Sequence, residues 1–138
     1  MPGGEYPQLW KKSATRVLVV DDEALVRWSI AQTLGANGCD IIEASDARGA
    51  VAAVLDRAHK PDAVILDLKL PDSGDLSLLA SVRRLLPAAP VILMTAFGTL
   101  EVVEAALRLG AFTVLDKPFD LDELGRVVAQ ALATPSPC

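Results

Sequence analysis

Residues 17–23 read Val-Leu-Val-Val-Asp-Asp-Glu, so a run of four apolar residues passes directly into three acidic residues. A strand covered on both faces has this character, because both alternating sets of its side chains are buried. Four further short apolar runs follow along the chain, at 40–44, 63–66, 91–94 and 113–115. We therefore predict five strands, the first at 16–20.

The segments between these runs have the apolar spacing of helices. Val26, Ile30 and Leu34 recur at every fourth position, as on one face of a helix. Similar stripes lie within 78–86, 102–107 and 121–132, and a weaker, alanine-rich one spans 46–57. Five strands alternating with five helices predict an α/β fold, in which a doubly wound parallel sheet carries helices on both faces.

Local signals support these boundaries. Asp46 and Asp120 can accept hydrogen bonds from the first turn of a helix, and Gly110 can end one in a left-handed conformation. We assign residues 15–133 to one domain, 1–14 to a flexible leader, and 134–138, which read Thr-Pro-Ser-Pro-Cys, to a linker or tail.

Composition limits the classes of function. The 138 residues carry a net charge of −5, and an acidic chain repels nucleic-acid phosphates, so we expect no direct nucleic-acid binding. The two cysteines, Cys39 and Cys138, do not suggest a disulfide framework and fit a reducing compartment. No apolar run reaches the roughly 18 residues of a membrane span, and the first ten residues do not read as a secretion signal. We expect a cytoplasmic protein without membrane contact.

Polar side chains follow four of the predicted strands. Asp21 and Asp22 come after the first, Asp67 after the third, Thr95 after the fourth and Lys117 after the fifth. In an open parallel sheet, ligands bind beyond the carboxyl ends of the strands, so these groups should share one crevice. Three carboxylates there need a counter-charge, which Mg²⁺ supplies with its preference for oxygen ligands. A carboxylate, a metal, an ammonium and a hydroxyl together predict phosphoryl transfer to an aspartate.

The chain resembles the receiver domains of bacterial two-component response regulators. The resemblance covers residues 15–133 and rests on five motifs at predicted strand ends and in the loops after them: VVDDE at 19–23, ILD at 65–67, LPD at 70–72, MTA at 94–96 and KPF at 117–119. The motif MTAFG at 94–98 and the pair Arg27-Trp28 are most similar to the sequences of receivers of the NtrC type. The fold implied is flavodoxin-like, with strand order 2-1-3-4-5.

The resemblance implies a Mg²⁺ site. Asp22 and Asp67 match the direct carboxylate ligands, and the backbone carbonyl of Lys69 matches the third protein ligand. Asp21 matches the acid that usually holds the metal through water.

It also implies a switch. Asp67 matches the phosphoacceptor, which takes the phosphoryl group from a sensor histidine kinase. Thr95 matches the hydroxyl that moves to the phosphoryl oxygen, and Lys117 matches the lysine that binds phosphate and precedes a cis proline peptide. Such a domain catalyses only its own phosphorylation and dephosphorylation. A homodimer through the fourth helix, fifth strand and fifth helix is expected, as is control of a downstream ATPase and DNA-binding output domain in sigma-54-dependent transcription.

Three features of the sequence set it apart from the usual pattern. Val114 stands where relatives keep the aromatic ring of the switch, so we expect the signal to leave through backbone and loop shifts around Thr95. Gly74-Asp75 replaces a common Asp-Gly. Lys69 and Phe97 flank the path of hydrolytic water, and their size predicts a long-lived phosphoryl group.

Three alternatives remain open. A phosphatase of the haloacid dehalogenase type would carry its second aspartate two residues after the first, whereas Asp21 and Asp22 are adjacent. A nucleotide-binding module would carry a glycine-rich loop after the first strand, which is not seen in this sequence. A phosphate-independent adaptor of the same fold is favoured only by Val114.

Overall fold

The computed structural model describes residues 14–133, so the predicted leader, apart from Ala14, and the predicted tail at 134–138 lie outside the described residues. A single parallel sheet has the order β2-β1-β3-β4-β5, which confirms the predicted order. Its strands are β1 (Arg16–Val20), β2 (Asp40–Ala44), β3 (Ala63–Asp67), β4 (Val91–Thr95) and β5 (Thr113–Asp116). The strands β3, β4 and β5 each extend one residue beyond the predicted apolar run. That last residue is polar in each case, namely Asp67, Thr95 and Asp116.

Within residues 14–133, five α-helices connect and follow the strands, as predicted. They are α1 (Ala24–Ala36), α2 (Ala47–Leu55), α3 (Ser77–Leu85), α4 (Leu100–Arg108) and α5 (Leu121–Ala133). The predicted second helix at 46–57 is too long, because Asp56 accepts a hydrogen bond from the Ala58 amide and starts a separate 3₁₀ turn at Arg57–His59. No helix within residues 14–133 is both long and apolar enough to cross a bilayer.

The helices cover the sheet on both faces. One layer packs α2, α3 and α4 against Leu18, Val64, Leu66 and Leu93 through buried residues such as Val82. The other packs α1 and α5 against the opposite face, which includes Val19, Ile65 and Ile92. The strands β3 and β4 are buried along their whole length, which explains why they read as continuous apolar runs.

Strand register brings the predicted site residues to one edge. Val20 pairs with Leu66, so the acidic residues after β1 lie beside Asp67 at the end of β3. Asp67 in turn pairs with Met94, next to Thr95 at the end of β4. The polar groups that sequence separates by up to about a hundred positions therefore meet at the carboxyl end of the sheet.

Gly110 ends α4 with a φ of 100°, as its position in sequence predicts. A Cβ there would lie 2.8 Å from Nε of Arg83, whose Nη1 donates to the Ala89 carbonyl at 2.8 Å. The turn between α4 and β5 therefore needs glycine both for its backbone conformation and for space.

Replacing Gly110 by alanine should lower the free energy of unfolding by about 1–2 kcal/mol, because an L-residue is strained in this conformation. The matched control is Gly125→Ala in α5, where no atom lies within 4 Å of the new methyl group. That change should stabilise the protein by about 0.5–1 kcal/mol through helix propensity. Urea unfolding followed by circular dichroism measures the free energy of unfolding of both variants. Equal effects of the two substitutions would contradict the role assigned to Gly110.

Candidate functional site

Three carboxylates converge at the carboxyl end of the sheet. One oxygen from each of Asp21, Asp22 and Asp67 lies within 4.8 Å of the others. Asp67 is the last residue of β3, and the other two directly follow β1, its neighbour in the sheet. The structure thus brings together the three aspartates that the sequence singled out.

Asp21 and Asp22 have different surroundings. Asp21 is fully buried, and its Oδ2 accepts a hydrogen bond from Nζ of Lys117 at 2.6 Å while its Oδ1 accepts one from the Glu23 amide at 2.9 Å. Asp22 is exposed. The carboxylate of Asp22 is therefore open to an incoming ion, whereas that of Asp21 already has partners on both oxygens.

Lys117 joins the two buried acids. Its Nζ lies 2.6 Å from Oδ2 of Asp21 and 3.2 Å from Oδ2 of Asp67. Burial by itself would lower the pKa of this ammonium, but the hydrogen bond to Asp21 and the charges of both acids outweigh burial and raise the pKa. Lys117 therefore stays protonated and carries the positive charge of the site. The Lys117–Pro118 peptide is cis, as the sequence resemblance implied.

Asp67 is 6% exposed. Burial is the main cause that raises the pKa of its carboxyl group, and the negative charge of Asp21 adds to it, while Lys117 offsets part of the effect. Three carboxylates converge here beside an ammonium that contacts two of them, so the negative charge of the site is incompletely neutralised. An all-oxygen donor set with excess negative charge fits a hard divalent cation such as Mg²⁺.

Thr95 opens onto the same space as Asp67. A cavity of about 230 Å³ is lined by Asp22, Asp67, Lys69, Thr95, Phe97 and Lys117 among others. The Thr95 side chain is buried, and its hydroxyl oxygen accepts a hydrogen bond from the Phe97 amide at 3.1 Å. This bond connects the end of β4 to the loop that leads into α4.

Lys69 and Phe97 stand together at the edge of the cavity. Nζ of Lys69 lies 5.8 Å from the centre of the Phe97 ring, within the range of a cation–π interaction. The Lys69 amide donates to Oδ1 of Asp67 at 3.3 Å. Phe97 is 71% exposed, and both side chains line the cavity that Asp67 also lines.

Val114 faces the layer that contains α4 rather than the site. It is half-buried, packs against the core on that side, and pairs with Leu93 across the sheet. The direct backbone link between β5 and the site is instead the hydrogen bond from the Lys117 amide to the Thr95 carbonyl, at 2.7 Å.

Arg27 belongs to the site's support, and the sequence reasoning assigned it no role. Its Nη1 donates to the Asp21 carbonyl at 2.7 Å, and its Nε donates to Oε1 of Glu43 at 3.1 Å. The guanidinium therefore fixes the turn that presents Asp21 and Asp22. The pair Arg27-Trp28 entered the sequence analysis only as part of the family resemblance, and neither that motif nor a place six residues after Asp21 reveals a contact to a backbone carbonyl.

Comparison with known proteins agrees with this geometry. The family description "Response regulator receiver domain" matches residues 17–129. The regulatory protein AtoC of Escherichia coli is 39% identical over 117 residues, which are 85% of this chain and 25% of AtoC. The DNA-binding transcriptional regulator NtrC of Salmonella typhimurium is 33% identical over 85% of this chain and 24% of its own length. The chain thus spans about a quarter of the length of these curated relatives.

A solved structure has the same architecture. The response regulator receiver domain protein (CheY-like) of Methanospirillum hungatei superposes with a TM-score of 0.82 at 28% identity. The match covers 87% of this chain and 94% of that one.

Asp67→Asn should stabilise the metal-free protein at neutral pH. Because folding raises the pKa of Asp67, the folded state binds this proton more tightly than the unfolded state does. The contribution of Asp67 to stability therefore falls as pH rises from the ordinary carboxyl pKa through the raised value. Asparagine has no charge at any pH, so we expect a gain of about 0.5–2 kcal/mol at neutral pH that disappears in acid.

Urea unfolding at neutral pH and in acid, without divalent ions, measures this difference. Glu104→Gln removes one carboxylate from the exposed face of α4 and serves as the control, with no comparable gain expected. A loss of stability for Asp67→Asn at neutral pH would contradict a raised pKa of Asp67 in the folded protein.

Proposed function

The chain belongs to the response regulator receiver domain family, and from this premise we propose that it accepts a phosphoryl group on Asp67 from a sensor histidine kinase, with Mg²⁺ bound. The observation that carries the proposal is the position of Asp67. Its carboxylate borders a cavity shared with Thr95 and contacts the ammonium of Lys117. Apart from this self-modification, we propose no catalytic turnover.

The chemistry needs an aspartate oxygen that attacks phosphorus while the bond from phosphorus to the histidine nitrogen breaks. The departing imidazole keeps the electron pair of that bond and takes up a proton. Asp22, Asp67 and the Lys69 carbonyl would hold Mg²⁺, which supplies charge neutralisation when bound. Nζ of Lys117, 3.2 Å from Asp67, is within reach of a phosphoryl oxygen. Positioning and charge therefore account for catalysis, as is general for phosphoryl transfer.

Thr95 would convert the modification into movement. Its hydroxyl now accepts from the Phe97 amide, and donation to a phosphoryl oxygen would draw the side chain toward Asp67. The loop at 96–99 is joined to Thr95 by that bond and would follow, which shifts the population toward a second conformer. Because Val114 offers no ring to rotate, we propose that this loop and the Thr95–Lys117 backbone bond carry the signal.

We further propose that the domain acts in the cytoplasm and controls an output domain, with sigma-54-dependent transcription as the process. The relatives that are four times longer support an output domain, and the names of AtoC and NtrC support a regulatory role. A homodimer would use the face of α4, β5 and α5. That face has exposed apolar side chains at Leu100 and Leu107, which supports an interface there.

A second candidate function is a phosphate-independent adaptor of the same fold. It is favoured by Val114, which leaves this chain without the aromatic ring of the usual switch. Phosphorylation of Asp67 separates the two candidates, because an adaptor has no need of an acceptor.

Incubation with acetyl phosphate and Mg²⁺ should add the mass of one phosphoryl group to the intact protein. Asp67→Ala should abolish the gain, since it removes the acceptor oxygen. Lys117→Ala should slow it strongly, while Thr95→Ala should keep it. Intact-mass spectrometry measures each case. No gain for the wild type, or an undiminished gain for Asp67→Ala, would refute the proposal and leave the adaptor.

The phosphorylated form should also be long-lived, because the large side chains of Lys69 and Phe97 line the cavity beside Asp67. Phe97→Ala should speed the release of phosphate several-fold by opening the path for water. Lys69→Ala should act in the same direction and keeps the backbone carbonyl of residue 69. Leu100→Ala, which truncates another exposed apolar side chain just after the loop, is the control. A phosphate-release time course in which all three variants match the wild type would contradict the shielding.

A further inference from the structure

Asp72 connects two parts of the molecule that lie far apart in sequence. Its Oδ1 accepts a hydrogen bond from the Ala47 amide at 2.7 Å, and its Oδ2 accepts one from the Arg48 amide at 3.1 Å. Both amides belong to the first turn of α2, where helix N–H groups have no partner within the helix and favour a carboxylate. These bonds hold the pKa of the Asp72 carboxyl below its ordinary value, with the bond from Ala47 as the main cause.

The helix does not depend on Asp72 for its cap. Asp46 is the N-cap residue of α2, and its Oδ1 accepts from the Gly49 amide at 2.7 Å. The anchor for Asp72 is also firm, because Ala47 packs against the core and Ala50 is fully buried. Asp72 therefore fastens its own loop to a fixed helix end, and the N-cap of that helix comes from another residue.

The loop that Asp72 fastens begins at the phosphoacceptor. Leu70 and Ser73 exchange two backbone hydrogen bonds, at 2.8 and 3.2 Å, so that Asp72 lies at the tip of a tight turn. The Leu70 side chain is buried in the core. Lys69, which precedes Leu70, is joined to this turn by a single peptide bond. Motion of the turn would therefore move the Lys69 backbone.

We propose that Asp72 is a positioning residue for the metal site: by tying the turn at 70–73 to the start of α2, it holds the Lys69 carbonyl where Mg²⁺ needs a third protein ligand. This inference rests on the proposed function, which places Mg²⁺ between Asp22, Asp67 and that carbonyl. Asp72 does not touch the ion. Replacing Asp72 should therefore remove none of the proposed Mg²⁺ ligands. It should only make the arrangement in which those ligands bind the ion less favourable.

The test compares Mg²⁺ affinity in Asp72→Ala and Asp46→Ala by isothermal titration calorimetry, without a phosphodonor. Both variants lose one carboxylate at the same end of α2, but only the first releases the loop. Asp72→Ala should weaken Mg²⁺ binding about tenfold, the usual effect of losing a residue that orients a ligand. Asp46→Ala should stay within about twofold, because a distant charge is screened at physiological salt. Circular dichroism checks that both variants are folded.

Asp72→Asn provides a second arm, which carries the test if Asp72→Ala does not fold. Its one carbonyl oxygen can keep one of the two bonds, so its affinity should fall between wild type and Asp72→Ala, clearly below that of Asp46→Ala. With saturating Mg²⁺, phosphorylation by acetyl phosphate should return close to the wild-type rate in both Asp72 variants, since the reacting groups are unchanged.

Wild-type affinity in the Asp72 variants, or an equal loss in Asp46→Ala, would overturn the role of Asp72 and leave the metal site standing. Failure of the wild-type chain to bind Mg²⁺ would instead overturn the metal site itself, and the positioning role with it.

Discussion

The buried ammonium of Lys117 is the interaction on which the site depends. Two carboxylates, Asp21 and Asp67, end neighbouring strands of one sheet, and their charges repel each other in a region that excludes most water. Lys117 contacts both at hydrogen-bonding distance and offsets part of that repulsion. The compensation is incomplete, because three carboxylates converge at this edge beside the ammonium. The remaining negative charge suits the site to a divalent cation, as the proposed phosphoryl transfer to Asp67 requires.

The surrounding structure keeps these charges in place through backbone contacts. Arg27 holds the carbonyl of Asp21, the Lys117 amide holds the carbonyl of Thr95, and Asp72 holds the loop after Asp67. Each support comes from a different part of the chain, and each acts at or just after the carboxyl end of a strand. The sheet therefore sets where the turns begin, and these contacts hold the backbone that carries the side chains of the site.

Much of the fold was predictable because its signals are local or periodic. Apolar runs marked all five strands, and the acidic, hydroxyl and lysine residues after them marked the edge where a ligand binds. The length of the second helix was predicted wrongly, since Asp56 offers the backbone of Ala58 a competing hydrogen bond that a periodic pattern does not contain. The roles of Arg27 and Asp72 were not predicted, because each depends on a partner brought close by the fold.

The sequence by itself determined the succession of strands and helices along the chain, and the kinds of group at the carboxyl edge. These follow from alternation, helical spacing and the polar residue that ends each apolar run. The tertiary structure alone decided that Asp21 is buried and paired while Asp22 is exposed, and that Lys117 contacts both Asp21 and Asp67. The sequence does not distinguish the surroundings of two adjacent aspartates. Their burial and charge pairing arise only when separate strands are packed side by side.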